Sequence, residues 1–188
     1  MVGIVDNGRR PVTLAFKDDG DLVVVVGDNG EDLGGSEYLA VWHAREQGVP
    51  PKIDLAVART ANDAVLALMD TGGVKSCHDT SEGGLAVALA ECAIAGGVGA
   101  QVGLATNGLR RDALLFGESQ SRFVLTVAPA NRDMLESVLA EAGVPFEAVG
   151  WVGGDRLQIG ADRQLTIDRP LDVISENCRT ALERALAG

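Results

Sequence analysis

His78-Asp79-Thr80-Ser81-Glu82-Gly83-Gly84-Leu85 (HDTSEGGL) decides how the rest of the chain is read, because it joins a strand-like run to an alanine-rich helical one. Val74 to Cys77 reads as a short extended segment, Ser81 has the side chain of a helix N-cap, and Gly83-Gly84 allows close approach to the backbone where a helix opens. Such a turn suits an anion, and a phosphate-bearing ligand is the first expectation. A Ser cap and paired glycines also occur in strand-to-helix turns that bind nothing. Both readings stand on shape alone.

Outward from this turn, the downstream run Leu85 to Ala95 (LAVALAECAIA) is apolar except for Glu91, which predicts a helix buried around most of its circumference and ended by Gly96-Gly97. Upstream, Ile53 to Met69 has a broad apolar face through Leu55, Val57, Ala58, Ala61, Val65, Leu66 and Leu68, and stops at Gly72-Gly73. Gly34-Gly35-Ser36-Glu37 opens a short helix through Tyr38, Val41 and Trp42. Thr13 to Phe16 and Leu22 to Gly27 read as a hairpin joined by Lys17-Asp18-Asp19-Gly20, and four consecutive valines, Val23 to Val26, predict a strand covered on both faces.

Further strands are expected at Val98 to Leu104, Arg122 to Val127, Phe146 to Val152, Arg156 to Ile159 and Gln164 to Ile167. Helical character falls at Asn107 to Glu118, Asn131 to Ala142 and, after Pro170, Leu171 to Ala187. The order predicts an α+β or layered α/β fold with one mixed sheet, built as a single domain over residues 1–188.

Composition narrows function. The chain has 188 residues, 46% of them hydrophobic, enough for a real core. With 16 Lys and Arg against 27 Asp and Glu, its net charge of -11 repels nucleic acid and anionic membrane surfaces. No run approaches 18 apolar residues, and the start lacks a secretory pattern. Cys77, Cys92 and Cys178 are odd in number and lack zinc-site spacing, which fits a reduced, cytoplasmic chain.

Two polar clusters are candidates for chemistry. Glu118-Ser119-Gln120-Ser121-Arg122 stands directly before an apolar strand, where it would either fix a ligand through hydrogen bonds or cap the preceding helix and satisfy loop backbone. His78-Asp79 would be an acid–base pair or a magnesium-binding Asp beside a His, or simply satisfied turn residues, since neighbours on a strand end point to opposite sides. GxSxG, HExxH and Walker A patterns are absent from the sequence.

Three blocks in order, LAFKDDGDLVVVVGDNGEDLGGSEYL (Leu14 to Leu39), HDTSEGGLAVALAECAIAGGVGA (His78 to Ala100) and LLFGESQSRFVLTV (Leu114 to Val127), resemble the PurL family, the synthetase chains of phosphoribosylformylglycinamidine synthase. The resemblance covers essentially the whole chain and points to the second of two domains of the aminoimidazole ribonucleotide synthetase C-terminal type. Residues 1–10 would then be a remnant of the linker from an ATP-binding-type domain.

The resemblance implies a ligase that joins glutamine-derived ammonia to formylglycinamide ribonucleotide with ATP and magnesium, in de novo purine biosynthesis. Its partners would be the remaining PurL domains, a glutaminase and the ribonucleotide phosphate, with a homodimer as a further possibility. This domain alone would be inactive and would hold no cofactor tightly. By residue, it implies Asp79 as a magnesium ligand and Glu118, Ser119 and Gln120 as substrate contacts, with no catalytic residue; Ser81, Gly83 and Gly84 are candidate substrate contacts on the anion-turn reading. Glu82 stands where the family usually has Asp.

Two alternatives remain: a scaffold domain that keeps both motifs for turn geometry, or the C-terminal domain of another ATP-dependent enzyme of the same superfamily. Buried, internally bonded Glu118 and Gln120 favour the scaffold, and convergent exposed ones favour a site. Exposed Tyr38, Trp42 or Trp151 would mark a surface that pairs with an ATP-binding-type domain.

Overall fold

The computed structural model describes residues 11–187, so the expected linker at 1–10 lies outside the described residues. Seven strands form one mixed sheet: β1 (Leu22–Val26), β2 (Val74–Asp79), β3 (Ala100–Leu104), β4 (Phe123–Val127), β5 (Phe146–Val152), β6 (Arg156–Ala161) and β7 (Gln164–Pro170). Their order is β2-β4-β1-β5-β3-β6-β7, antiparallel throughout except for the parallel pair β3 and β6. Among the described residues there are five α-helices, α1 (Leu55–Asp70), α2 (Gly84–Gly96), α3 (Arg111–Phe116), α4 (Arg132–Ala142) and α5 (Leu171–Ala187), with a π-helical turn at Tyr38–Trp42 and a 3-10 turn at Pro129–Asn131. This is the mixed α+β sheet architecture expected from the order of elements.

The valine run is buried along its whole length and serves both cores at once. Val23 and Val25 pack with Leu85 and Leu89 of α2 and Leu114 and Leu115 of α3, while Leu22, Val24 and Val26 meet Ala61, Val65 and Leu68 of α1 and Leu135 and Leu139 of α4. Period-two alternation thus feeds two apolar layers from one strand. Among the described residues no helix is long and apolar enough to cross a membrane. Cys77, Cys92 and Cys178 are free thiols, and burial pushes those of Cys77 and Cys92 up to about 12.

Three local expectations are corrected. Thr13 to Phe16 does not pair with β1: Thr13 makes one isolated parallel bridge to Ser76, and the Phe16 N–H donates to the Cys92 carbonyl at 3.1 Å. The Asp-Gly turn itself forms, with the Asp21 N–H donating to the Asp18 carbonyl at 3.2 Å. A strand buried on both faces takes its partners from distant β4 and β5, because the area gained in the two cores outweighs a local pairing.

Ser81 is not the cap of α2; Gly83 holds that position at φ +79° without a side-chain bond. The apolar face of α1 is narrower than its sequence suggests, since Leu55, Val57 and Leu66 are exposed while Ala58, Ala61, Ala64, Val65 and Leu68 are buried.

Candidate functional site

Sheet register brings the two motifs together. Antiparallel pairing sets Asp79 at the end of β2 opposite Phe123 at the start of β4, and Val26 at the end of β1 opposite the same residue. The segments that leave β1 and β2, and the one that enters β4, therefore meet at one end of the sheet. The Thr80 N–H donates to the Arg122 carbonyl at 2.8 Å and carries the ladder one residue beyond β2.

Glu118 is the hub of this meeting. Its Oε1 accepts from the Gly83 N–H and from the Glu37 N–H, each at 2.9 Å, so the carboxylate lies against the first turn of α2 and against the π-helical turn Tyr38–Trp42. The anion expected at the helix start is thus supplied by the protein itself. Gly84, at φ +72°, brings the α2 backbone against Phe116 and Gly117, where an added Cβ would come within 2.6 Å of the Gly117 carbonyl oxygen.

Ser119 is buried and equally engaged. Its hydroxyl donates to Asp32 Oδ2 at 2.6 Å and accepts from the Gly30 N–H at 3.0 Å. Arg122 is the largest fully buried side chain, donating through Nε to the Ser119 carbonyl at 3.1 Å, through Nη1 to Asn29 Oδ1 at 2.8 Å, and through Nη2 to the Gly117 carbonyl. Burial lowers its pKa to about 10, against the opposing pull of Asp32 and Glu118, and leaves it charged at neutral pH.

The other candidates face solvent. Asp79, Ser81, Glu82 and Gln120 are exposed and, with Asn62, Phe123 and Ile53, line a cleft of about 600 Å³ at this end of the sheet. Ser81 Oγ donates to Asp79 Oδ2 at 2.5 Å, and Gln120 Nε2 reaches only the Glu118 carbonyl at 3.3 Å. His78 turns toward α2, its Nε2 at 2.7 Å from Glu91 Oε2, while its Nδ1 stays 3.6 Å from Asp79 Oδ1, so the imidazole lies between the two carboxylates. Arg122 is spent on internal acceptors, so the charges that line the cleft in reach of a ligand are carboxylates.

Among the described residues, no group of three or more His, Cys, Asp or Glu side chains is placed to hold a metal. Asp79 offers one carboxylate, one oxygen of which Ser81 already engages. The described residues of this chain alone do not assemble a complete coordination shell for a metal ion.

Sequence reasoning identified the motif residues but missed their partners Asn29, Gly30 and Asp32, and the role of Arg122. The signal was present in the polar GDNGED run that leaves β1 (Gly27 to Asp32), in a block already quoted for its resemblance.

Two predictions arise here. Glu118→Gln keeps an acceptor but removes the charge, and is expected to cost about 1–2 kcal/mol; hydrogen exchange at the Glu37 and Gly83 amides should quicken roughly tenfold, and unchanged exchange would refute the hub. Thr80 Oγ1 is buried without a hydrogen-bond partner, so Thr80→Val is expected to stabilise by about 1 kcal/mol in denaturant unfolding. A loss instead would show that the hydroxyl has a partner.

A family profile described as AIR synthase related protein, C-terminal domain, matches residues 18–162. The chain belongs to that family. PurL of Alkaliphilus metalliredigens, a phosphoribosylformylglycinamidine synthase subunit, is 41% identical over 183 residues, 97% of this chain and 25% of the relative. The chain spans about a quarter of the length of the curated relatives it matches. As a member of the AIR synthase C-terminal family it also shares its fold with T. maritima PurL complexed with FGAR, at TM-score 0.78 and 18% identity over 87% of this chain and 29% of that one. E. coli HypE, a hydrogenase maturation protein, follows at TM-score 0.60 and 20% identity, over 85% of this chain and 51% of that one.

Proposed function

We propose that this chain is the second AIR-synthase C-terminal domain of a phosphoribosylformylglycinamidine synthase of the PurL kind. In this reading it works in the cytoplasm within a ligase that converts formylglycinamide ribonucleotide and glutamine-derived ammonia at the expense of ATP, and is inactive alone. The observation that carries it is the 41% identity to a PurL subunit over nearly the whole chain, against 20% to the structurally similar HypE. The cleft lined by Asp79, Ser81 and Gln120 supports a ligand wall at the sheet end. Its carboxylates suit ribose hydroxyls, or a magnesium-bound phosphate for which Asp79 supplies one ligand and another domain the rest. Glutaminase and the ATP-binding-type domains are the partners this reading requires.

A second reading keeps the same protein but makes this domain a scaffold. The internal bonding of Gly83, Glu118 and Ser119 favours it, whereas exposed Gln120 favours a site.

One chimera tests the function. Replacing the corresponding quarter of the Alkaliphilus subunit by this chain should preserve ATP-dependent amidation of formylglycinamide ribonucleotide with its glutaminase partner. A folded chimera without activity would count against the assignment. Within an active chimera, Asp79→Asn and Gln120→Ala should raise KM at least tenfold if the cleft binds ligand; unchanged kinetics would leave the scaffold reading.

A further inference from the structure

Gln120 and Ser121 line the sheet-end cleft and also a second recess, of about 300 Å³, formed by α1, the exit from β1 and the turn between α4 and β5. Backbone contacts fix its shape. The Gly27 N–H donates to the Pro145 carbonyl at 2.8 Å, and an added Cβ on Gly27 would lie 2.4 Å from the Ser121 carbonyl oxygen, so the β1 exit is packed against both neighbours. Gly27, Ser121 and Gly143 all take a left-handed φ, at +92°, +62° and +68°. For Ser121, which alone of the three carries a side chain, that conformation is strained, and the Arg122 Nε bond to the Ser119 carbonyl spans the turn that contains it. Apolar surface comes from Val57 and Ala61 of α1 and from Val144 and Pro145, while small Ala56 and Gly143 leave the space open.

The polar atoms around this recess are sorted by kind. Its backbone donors are spent: the Ala56 and Val57 N–H groups donate to Asp54 Oδ1 at 2.9 and 3.2 Å, the Gly143 N–H to the Ala140 carbonyl at 3.0 Å, and the Val144 N–H to the Leu139 carbonyl at 2.9 Å. The Thr60 hydroxyl donates to the Ala56 carbonyl at 3.0 Å, and the Gln120 amide nitrogen to the Glu118 carbonyl at 3.3 Å. What remains is chiefly acceptor: the Thr60 and Gln120 oxygens and the Asp28 carboxylate, which makes no hydrogen bond or ion pair among the described residues. No described Lys or Arg lines the recess, so an anion would meet neither a cation nor a free helix-start amide there. A molecule that matches it brings N–H groups into an apolar slot.

We propose that this recess is a second binding site, for a flat ring that carries an amidine-like pair of N–H donors, the edge presented by aminated heterocycles. The ring would lie against Val57, Ala61 and Val144, and the N–H pair would meet the Asp28 carboxylate, a two-point, charge-assisted contact. The chain's net charge of -11 favours such a ligand over an anionic one. The proposal does not rest on the reading of the sheet-end cleft, whose wall the recess shares through Gln120 and Ser121.

Benzamidine is the probe, titrated into the 188-residue chain and followed by backbone amide NMR. Saturable shifts are expected at Ala56, Val57, Ser121 and Val144. Benzamide, the neutral molecule of the same shape, should bind roughly tenfold more weakly, and Asp28→Asn should weaken benzamidine by roughly the same factor while leaving benzamide unchanged. Asp28 is exposed, so this variant should keep the parent's dispersed spectrum, which the titration itself shows. Thr60→Phe, an exposed position on α1, would fill the recess and should abolish the shifts from both probes. Equal affinity for the two probes, or benzamidine binding indifferent to Asp28→Asn, would overturn the assigned ligand chemistry. Shifts confined to the Asp79 and Ser81 side of the cleft, or unsaturable shifts spread over the surface carboxylates, would overturn the site.

Discussion

Gly84→Ala is expected to destabilise the domain by about 3–5 kcal/mol and to lower its melting temperature by roughly 10–15 °C. Two costs combine. A left-handed φ of +72° penalises any side chain by about 1–2 kcal/mol. The new Cβ would also lie 2.6 Å from the Gly117 carbonyl oxygen and within 2.8 Å of the Phe116 backbone, where no flexible side-chain end gives way. Gly97 at the other end of α2 is the control, because it has φ +66° but nothing within 4 Å of an added Cβ. Gly97→Ala should therefore show only the conformational cost, about 1–2 kcal/mol. Thermal unfolding of both variants decides the matter: equal losses would mean that the contact between the α2 start and the Phe116-Gly117 backbone is not close, and that the paired glycines serve turn geometry alone.

Arg122→Met is the second large effect, expected at about 3–5 kcal/mol in denaturant unfolding. Methionine fills much of the same space, so the loss measures polar groups rather than a cavity. Replacing a buried ion pair by apolar residues is often harmless because both charges leave together. Here the three acceptors, the Gly117 and Ser119 carbonyls and Asn29 Oδ1, stay behind without a donor. Each buried acceptor left unpaired costs about 1–3 kcal/mol, and that decides the sign. Arg122→Lys should recover only part of it, since one ammonium cannot span a fork of three acceptors. Hydrogen exchange gives the local signature: amides of residues 29–37 should open while those of α4 stay protected. A variant as stable as the parent would show that the segment leaving β1 is held by other contacts.

Both variants probe one construction, in which the polar block before β4 holds the segment leaving β1 and the start of α2. Gly83 and Ser119 bind the protein itself, whereas Asp79, Ser81 and Gln120 look into the cleft. Hydrogen-bonding residue types were legible in sequence, but a carboxylate that serves a ligand and one that serves a neighbouring amide are the same letter.

The same limit explains the elements. Four valines, the Gly96-Gly97 stop of α2 and Pro170 before α5 were read correctly because each signal is local: burial on both faces, a left-handed cap, a ring that pre-sets the helical φ. The Thr13 to Phe16 pairing failed because a strand's partner is chosen by cores assembled from residues far apart, here Val124 to Val127 and Phe146 to Trp151. Leu55, Val57 and Leu66 carry helical periodicity, and periodicity reports that a face is apolar without saying what covers it.

By itself, the sequence determined most element types, the buried central strand and the family resemblance, because propensity and local φ demands act within a few residues. Only the tertiary structure decided that Glu118 accepts from the Gly83 N–H at the α2 start, that Arg122 ties down the segment leaving β1, and that Val41, Trp42 and Leu55 are exposed. Those outcomes depend on which distant backbone groups arrive first within hydrogen-bond reach, about 3 Å, and no spacing along the chain encodes that distance.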